Sequence, residues 1–432
     1  MKLLKYTLTL LLTGFLLSCN TSSKKKQITD VNQYSEFLNL TNNQVYNDAK
    51  KEEVFWSNKL NKTPNQYPYL SKIAAANNAL FASKGSIQYL ITAEKKLQQL
   101  NQKTNYNNAS NLRALAVNYI SQHRFNEALQ LLLKAEENGE KLKATQKMLF
   151  DVHLELGNYN TAESYLSKFR NLSDFDYLIR LSKWSDHKGN LSSAINFMEM
   201  ATRLAESSNN KTLKVWSYTN LADFYGHNNQ VEKSYQYYIK SLKLDPNNAY
   251  AKKGIAWIVY SYEKNPEKAL TILDAIIKEH QSPDYFLLKA EIAEFMNNLK
   301  EKEKNIEKYM NLTSDKLYGE MYNQHNIKLF LDDINKHDVA EKLIEKEIKN
   351  RATPQVYDLL AWSFYKKGAY KKALETSKKY VVNKTFEPET QYHLAQIYKA
   401  NGLTDDALKI KAELLESSYE LGPLMTQQIQ KI

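Results

Sequence analysis

The feature that most constrains the fold is a small residue that returns about every 34 residues over most of the chain. Successive copies are 32 to 40 residues apart, and an apolar residue usually follows each one. A unit of this length cannot bury an apolar face alone, so its stability depends on stacking against its neighbours. The aligned positions are Ala128, Ala162, Ala194, Ser234, Ala269, Lys302, Ala340, Ala373 and Ala407.

The residues around each small position recur in a fixed order. Residues 112–137 contain Leu115 and Ala116, then Tyr119, a short turn, and Phe125. A small residue such as Ala116 is expected where two helices cross closely, because a larger side chain would overpack the crossing at a cost of roughly 1–3 kcal/mol. The same order is found in segments 217–248, 357–380 and 392–415.

These segments resemble the tetratricopeptide repeat, a helix–turn–helix unit of about 34 residues. The resemblance covers roughly residues 109–421. It implies an all-α fold, a right-handed superhelical solenoid of about nine to ten helix–turn–helix repeats. The composition agrees, because 11 glycines and 8 prolines in 432 residues are too few for the turns of a β-sandwich, a β-barrel or a Gly-rich nucleotide fold. Glycines such as Gly157 and Gly368 are expected to end first helices at positive φ.

The N-terminus is typical of an exported protein. Lys2 and Lys5 precede a short apolar run that ends at Cys19, the single cysteine of the chain. Residues 16–19 resemble the bacterial lipobox, which implies a signal peptide over 1–18, a lipid on Cys19 and membrane attachment through that lipid. By the same resemblance, Asn20 favours the outer membrane of the cell envelope, and the leaflet stays open. The composition, rich in Asn, Lys, Tyr and Ile, resembles that of lipoproteins from flavobacterium-like Bacteroidetes.

The remaining segments divide by composition. Residues 19–45 are polar and are predicted to form the lipidated Cys and a flexible tether. Residues 46–108 are predicted to be a divergent helical, repeat-like cap, with Val54, Phe55 and Trp56 on an amphipathic helix. Residues 422–432 are predicted to be a C-terminal tail, with part of a final capping helix as the alternative.

The sequence contains none of the motifs that would indicate an enzyme. GxSxG, Walker A, GxGxxG and HExxH patterns are absent, and one cysteine cannot form a Cys-based zinc site. We therefore expect no catalysis, no cofactor and no metal. The formal net charge of +11 is spread among mixed charges rather than in a basic stripe, so nucleic acid is not an expected partner.

The resemblance also implies binding positions, because the first helix of each tetratricopeptide repeat lines the inside of the superhelix. Exposed Trp and Tyr there would suit the recognition of a protein segment. The alternative is that the rings pack against adjacent helices, since the chain holds 30 tyrosines. The inward positions carry over to Trp216, Asp223, Tyr250, Lys253, Trp257, Tyr260, Asp358, Trp362, Tyr365, Lys366, Tyr392, Gln396 and Lys399.

Three function classes remain open at this point. The first is a non-catalytic, membrane-anchored scaffold whose concave surface binds a protein or peptide partner in the envelope. The second is a glycan-binding lipoprotein similar to the SusD-like family, although the short turns here lack the large loop insertions of that family. The third is a regulator of a cell-wall enzyme.

Overall fold

The computed structural model describes residues 27–40 and 42–432. The predicted signal peptide, Cys19 and the first part of the predicted tether lie outside the described residues. Every regular element in the described part is helical, which confirms the all-α fold class. No helix in these residues is both long and apolar enough to cross a membrane.

The described residues form 23 α-helices, one π-helical turn (Ile258–Tyr262) and one 3₁₀ turn (Lys316–Tyr318). The α-helices are α1 (Val31–Leu38), α2 (Gln44–Lys62), α3 (Tyr69–Lys84), α4 (Ile87–Lys103), α5 (Ala109–Ser121), α6 (Phe125–Asn138), α7 (Leu142–Glu155), α8 (Tyr159–Lys168), α9 (Phe175–His187), α10 (Leu191–Ser207), α11 (Lys211–His227), α12 (Val231–Leu244), α13 (Ala249–Trp257), α14 (Pro266–Glu279), α15 (Asp284–Phe295), α16 (Leu299–Thr313), α17 (Asn323–Asp332), α18 (His337–Asn350), α19 (Pro354–Lys366), α20 (Tyr370–Tyr380), α21 (Pro388–Ala400), α22 (Thr404–Glu416) and α23 (Ser418–Gln430).

Asparagine caps many of the helices and forms several of the turns between them. The side chains of Asn190 and Asn248 accept hydrogen bonds from backbone amides in the first turns of α10 and α13, and thereby satisfy donors that the helix leaves unpaired. Asn229 and Asn297 adopt positive φ in the turns that follow first helices. Other repeats have a glycine at this position, such as Gly157. The high Asn content thus compensates for the low Gly content.

Helices α3 to α22 form ten consecutive antiparallel hairpins, a helical repeat solenoid. The predicted small positions lie at the crossing of the two helices in each hairpin. Ala128, Ala162, Ser234 and Ala340 are fully buried there, as the packing argument requires. Lys302 is the exception, and its ammonium instead reaches the Glu294 carboxylate at 2.6 Å.

The first helices of the hairpins lie on the inner side of the solenoid. First helices of successive hairpins contact one another. The contacting pairs include α5 with α7, α7 with α9, α11 with α13, and α19 with α21. Because the inner side of a curved stack has the smaller radius, the helices that approach most closely must line the concave surface.

The solenoid also contacts itself across its long axis. The turns that join the two helices of the early hairpins meet the linkers between the late hairpins. The Gln281 amide donates to the Lys84 carbonyl at 2.7 Å, and the Lys84 ammonium lies 3.0 Å from the Glu279 carboxylate, 195 residues away in sequence. Asn126 Nδ2 likewise donates to the Asn350 carbonyl at 2.8 Å.

Three further contacts join early and late parts of the chain, two of them between a turn region and a linker and the third between helices α11 and α23. Arg351 lies between its neighbour Glu347 and the Glu155 carboxylate at the end of α7, with an Nη1 to Oε2 distance of 3.8 Å to Glu155. An alanine methyl at Gly189 would lie 2.7 Å from the Phe386 ring, and one at Gly226 would lie 2.7 Å from the Tyr419 ring. These glycines therefore allow close approach between distant parts of the chain.

The structure corrects the predicted tether at 19–45. From residue 27 onward this segment packs on the solenoid, and α1 lies against α12 and α14 with Tyr34 only 1% exposed. The Glu263 carboxylate accepts hydrogen bonds from the Ile28 amide at 2.9 Å and from the Thr29 amide at 2.6 Å. The polar composition of this segment did not indicate the packing, because only Tyr34 and Phe37 of its helix are buried in the core.

For residues 422–432 the structure shows the helical alternative in place of a tail. Residues 422–430 belong to α23, which continues the solenoid as an additional inner helix. Its helical course is interrupted at Gly422, where φ is 77° and ψ is 170°, and Pro423 follows. Ile429 is fully buried against the last hairpins.

Replacing Gly85 tests the contact between the early turns and the late linkers. Both Gly85 and Gly402 have positive φ, so alanine strains the backbone at either site by about 1 kcal/mol. An alanine methyl at Gly85 would also overlap the carbonyl oxygen of Gln281, whereas Gly402 has free space around it. We expect Gly85→Ala to lower the free energy of unfolding by about 1–3 kcal/mol more than Gly402→Ala.

Urea unfolding followed by circular dichroism measures both variants against the parent chain. Equal losses for the two variants would show that the contact between residues 84–85 and 281 contributes nothing to stability.

Candidate functional site

The predicted inner-surface residues fall into two clusters. Trp216, Asp223, Tyr250, Lys253 and Trp257 lie on α11 and α13, with Tyr260 in the π-helical turn that follows. The second cluster lies on α19 and α21 and consists of Asp358, Trp362, Tyr365, Lys366, Tyr392, Gln396 and Lys399.

Two aromatic rings of the first cluster remain open to solvent. Trp216 is 41% exposed and Tyr250 is 57% exposed. The Tyr250 hydroxyl donates to the Asp223 carboxylate at 2.6 Å, and the Tyr238 hydroxyl donates to the other oxygen of the same carboxylate. Burial raises the pKa of Asp223, although both hydroxyl groups and the nearby Lys253 oppose that shift.

Tyr260 is covered by the protein itself, which corrects the prediction for this residue, and Trp257 is half-buried beside α23. Tyr260 is fully buried and makes an edge contact with Phe295 at a ring distance of 5.6 Å. The π-helical turn shifts the helix register after Trp257 and directs this side chain into the core. Trp257 Nε1 donates to the Tyr419 carbonyl at 3.2 Å, so α23 occupies the space in front of the indole.

The aromatic residues of the second cluster belong to helix packing, the alternative that the sequence left open. Trp362 is stacked between Tyr365, at 4.6 Å, and His393, at 4.1 Å. Its Nε1 donates to Asp332 on α17 at 2.9 Å. Trp362 and Tyr392 are 5% and 8% exposed, so they are not available to a ligand.

A buried ion pair accompanies this stack. His393 Nδ1 lies 2.7 Å from Asp358 Oδ2, and both side chains are almost completely buried. Burial opposes the charged imidazolium, but the adjacent Asp358 carboxylate prevails and raises the pKa of His393. Asp358 therefore positions helix α21 against α19 and is not a contact point for a partner.

The polar members of the second cluster contact their own chain. The Lys366 ammonium lies 3.1 Å from Asp332. Lys399 Nζ donates to the backbone carbonyl of Ile432 at 2.9 Å. Gln396 donates to the Tyr392 hydroxyl at 3.1 Å. The polar groups of Lys366, Lys399 and Gln396 are therefore satisfied within the chain.

The inner surface also contains an open channel that sequence reasoning missed. Three adjoining cavities of about 440, 270 and 210 Å³ meet at Glu387, which lines all three. We call this space the inner channel. The side chains that define it here are Lys183, Asp186, His187, His227, Trp257, Glu291, Lys302, Leu329, Arg351, Gln355, Glu387, Glu420, Leu424 and Met425.

Acidic side chains dominate the middle of the inner channel. Burial raises the pKa of Glu387, and the charges of Glu420 and Asp186 add to that effect. Burial also raises the pKa of Asp186 and of Glu420, while the nearby His227 opposes the shift in both. Asp186 and Glu387 are exposed in the channel, yet the surrounding protein still disfavours their ionised forms.

Elsewhere the inner wall pairs its charges. The Lys147 ammonium lies 2.9 Å from Asp174 on the next first helix, and Lys183 lies 2.8 Å from Glu155. The Arg180 guanidinium lies 2.6 Å from Asp151. Such pairs cross between neighbouring first helices, whereas the carboxylates in the middle of the channel do not take part in them.

Nothing in the described part of the chain forms a metal centre, because no group of three His, Cys, Asp or Glu side chains there could hold a metal ion. The inner positions of α9 and α15 that supply Asp186 and Glu291 could have been found by the same carry-over that found Trp216. Glu387 and Glu420 could not, because they lie in a linker and in α23, outside the repeat pattern.

Glu291 gives a pH-dependent test of this channel. Burial raises the pKa of its carboxyl from 4.5 to about 7, since the Tyr260 hydroxyl offsets only part of the effect. The folded state thus holds the proton more tightly, and the parent chain loses stability as the pH rises from 4.5 through 7. Glu291→Gln should remove this loss and be more stable than the parent by about 1–2 kcal/mol at pH 8, but not at pH 4.

Urea unfolding at both pH values measures this difference. Glu294→Gln on the same helix is the control, because Glu294 is paired with Lys302 and its loss should not stabilise the chain. The raised pKa would be contradicted if the difference in unfolding free energy between Glu291→Gln and the parent chain were the same at pH 4 and pH 8.

The sequence and the fold were compared with those of known proteins. The family model of the tetratricopeptide repeat matches residues 217–248, which include most of the α11–α12 hairpin. Trp216 directly precedes the matched residues. No curated protein matches the sequence. Among solved structures, Pseudomonas aeruginosa pilF is 15% identical, with 50% of this chain and 96% of that chain covered and a TM-score of 0.37.

Two further solved structures are similar. A Rap protein complexed with competence and sporulation factor is 12% identical, with 66% of this chain and 90% of that chain covered and a TM-score of 0.45. A tetratricopeptide repeat protein from Parabacteroides merdae is 16% identical, with 60% of this chain and 97% of that chain covered and a TM-score of 0.35. The match identifies one tetratricopeptide repeat at residues 217–248, within an all-α helical repeat solenoid of ten stacked hairpins.

Proposed function

We propose that this chain is a non-catalytic scaffold that binds a segment of a partner protein on its inner surface. The observation that carries the proposal is the exposure of two large aromatic rings, Trp216 and Tyr250, on adjacent first helices. Exposed Trp and Tyr side chains are the residues most enriched among those that dominate protein–protein binding energies.

The surroundings of the two rings suit an extended segment. Asp223, between them on α11, offers acceptor oxygens, and the half-buried Lys253 on α13 offers donors. An extended chain needs such donors and acceptors for its backbone, while its side chains pack on the rings. The Trp216 ring is steadied by an edge contact with Phe175 at 5.9 Å, so little side-chain entropy would be lost on binding.

The proposal includes the location of the protein. We place it in the cell envelope, held at the outer membrane by a lipid on Cys19, as in lipoproteins of flavobacterium-like Bacteroidetes. Support comes from the lipobox-like residues 16–19 and the positive residues before the apolar run. Stable anchoring by lipid requires more than one acyl chain, which the lipoprotein modification supplies.

The binding surface is tested by capture from envelope extract. The tagged full chain, solubilised in detergent, is compared with a Trp216→Ala, Tyr250→Ala double variant by mass spectrometry. We expect a defined protein to be captured by the parent chain and to fall at least tenfold in the double variant, because the loss of two aromatic contacts typically exceeds 1.4 kcal/mol. Phe55→Ala is the control, since Phe55 is 50% exposed on α2, away from the inner surface.

Other results of this capture would redirect the proposal. A protein that both variants retain would place the binding site elsewhere on the solenoid. Retention on a polysaccharide gel that depends on Trp216 and Tyr250, without any captured protein, would favour the glycan-binding alternative. A captured cell-wall hydrolase would identify the scaffold as a regulator of that enzyme.

The anchor is tested by changing the single cysteine. Cys19→Ser should abolish the incorporation of an alkyne-labelled fatty acid into the chain, because no thiol remains to form the thioether. Ser23→Ala, four residues further on, should label like the parent chain. Labelling that persists in Cys19→Ser, or that is absent from the parent chain in a lipoprotein-processing host, would contradict the anchor.

A further inference from the structure

The middle of the inner channel brings together carboxylates from three distant parts of the chain. Asp186 ends α9, Glu387 precedes α21, and Glu420 lies on α23. Asp186 and Glu387 line the same two cavities, and Glu420 joins them in one. The charges of Asp186 and Glu420 each raise the pKa of Glu387, which shows that the three groups lie within electrostatic range of one another.

These three carboxylates lack the ion pairs found along the rest of the inner wall. Within residues 27–40 and 42–432, none of them lies within 4.0 Å of a Lys or Arg nitrogen. The nearest cationic candidate is His227, whose Nδ1 is 4.0 Å from Glu420 Oε1. The cavities are also lined by Lys183, Lys302 and Arg351, but these cations pair with other carboxylates, Glu155, Glu294, Asp333 and Glu347. Carboxylates therefore outnumber cations in the channel, although the formal net charge of the chain is +11.

Apolar side chains lie directly beside this charge. Leu329, Leu424 and Met425 line the largest of the three cavities together with Trp257. At about 440 Å³ this cavity is within the range of ordinary ligand sites. A ligand that fits the whole channel must present both apolar groups and positive charge.

The spacing of the carboxylates argues against a single metal ion. No three acidic or histidine side chains in the described residues converge closely enough to coordinate one. The positive charge must instead be distributed over several groups along the ligand. Lys and Arg side chains on an extended segment provide such a distribution, and their long stems can cover apolar surface while the heads reach the carboxylates.

We infer that the inner channel binds an extended segment of a partner protein in which Lys or Arg residues alternate with apolar ones. The cationic groups lie among Asp186, Glu387 and Glu420, and the apolar groups pack on Leu329 and Met425. This inference deepens the proposed function and rests on it, since it specifies the chemistry of the partner segment. Binding would replace the repulsion among the three carboxylates with charge-assisted hydrogen bonds.

Fluorescence polarisation with synthetic peptides tests the inference on the full chain in detergent. The probe is a fluorescein-labelled dodecapeptide in which Lys and Leu alternate, with counterparts that carry Gln or Glu in place of Lys. A detergent blank corrects for micelle binding. We expect the Lys peptide to bind at least tenfold more tightly than the Gln peptide, and its affinity to fall as the salt concentration rises from 50 to 500 mM, roughly as the screening length shortens.

A triple variant removes the three charges without changing side-chain shape. Asp186→Asn, Glu387→Gln and Glu420→Gln together should weaken the Lys peptide at least tenfold while the chain stays folded by circular dichroism, because repulsion is relieved. The control changes three exposed carboxylates away from the channel, Glu303→Gln, Glu345→Gln and Asp405→Asn, and thus alters the net charge equally. It should bind the Lys peptide like the parent chain.

The possible results separate this inference from the proposed function. Equal weakening in both triple variants, equal affinity for the Lys and Gln peptides, or binding of spermidine in preference to the Lys peptide would overturn the cationic segment. Capture that depends on Trp216 and Tyr250 but not on Asp186, Glu387 and Glu420 would overturn it as well, while leaving the scaffold intact.

Discussion

The contact between the early turns and the late linkers governs the shape of this molecule. A helical repeat solenoid is held along its length by neighbour-to-neighbour packing, and it is usually open across its axis. Here the Lys84 carbonyl accepts from Gln281, Asn126 donates to Asn350, and Tyr419 packs on Gly226. Because these contacts join parts of the chain that are far apart in sequence, they bring residues of distant repeats to the same cavities on the inner side.

Packing within the chain decides which residues are available to a partner. The aromatic residues of α19 and α21 face inward by repeat position, but packing between neighbouring helices buries Trp362 and Tyr392. Trp216 and Tyr250 remain uncovered. The contacts between distant parts of the chain also bring Asp186, Glu387 and Glu420 together, and so create a charged surface that no single repeat contains.

The abundance of tyrosine has a structural explanation. Buried tyrosines tie successive helices together through their hydroxyl groups, as Tyr165 does by donating to Glu136 at 2.8 Å and Tyr218 by donating to Glu206 at 2.9 Å. Burial raises the pKa of both hydroxyls to about 12, so they remain donors at all physiological pH values. An aromatic residue in this chain is therefore a weak indicator of a binding surface by itself.

The sequence alone determined the local structure. The recurrence of small residues predicts the helical hairpins, since Ala128 and its counterparts must lie where two helices cross, and the scarcity of Gly and Pro leaves few alternatives to helix. The tertiary structure decided the rest. Tyr34 and Phe37 fix a segment whose composition indicates a tether, and residues 422–432 complete an inner helix. The charge of the inner channel depends on bringing distant parts of the chain together, as in the contact between Lys84 and Glu279, which are 195 residues apart. A repeat pattern describes each unit and its immediate neighbour, so it carries no information about contacts at that distance.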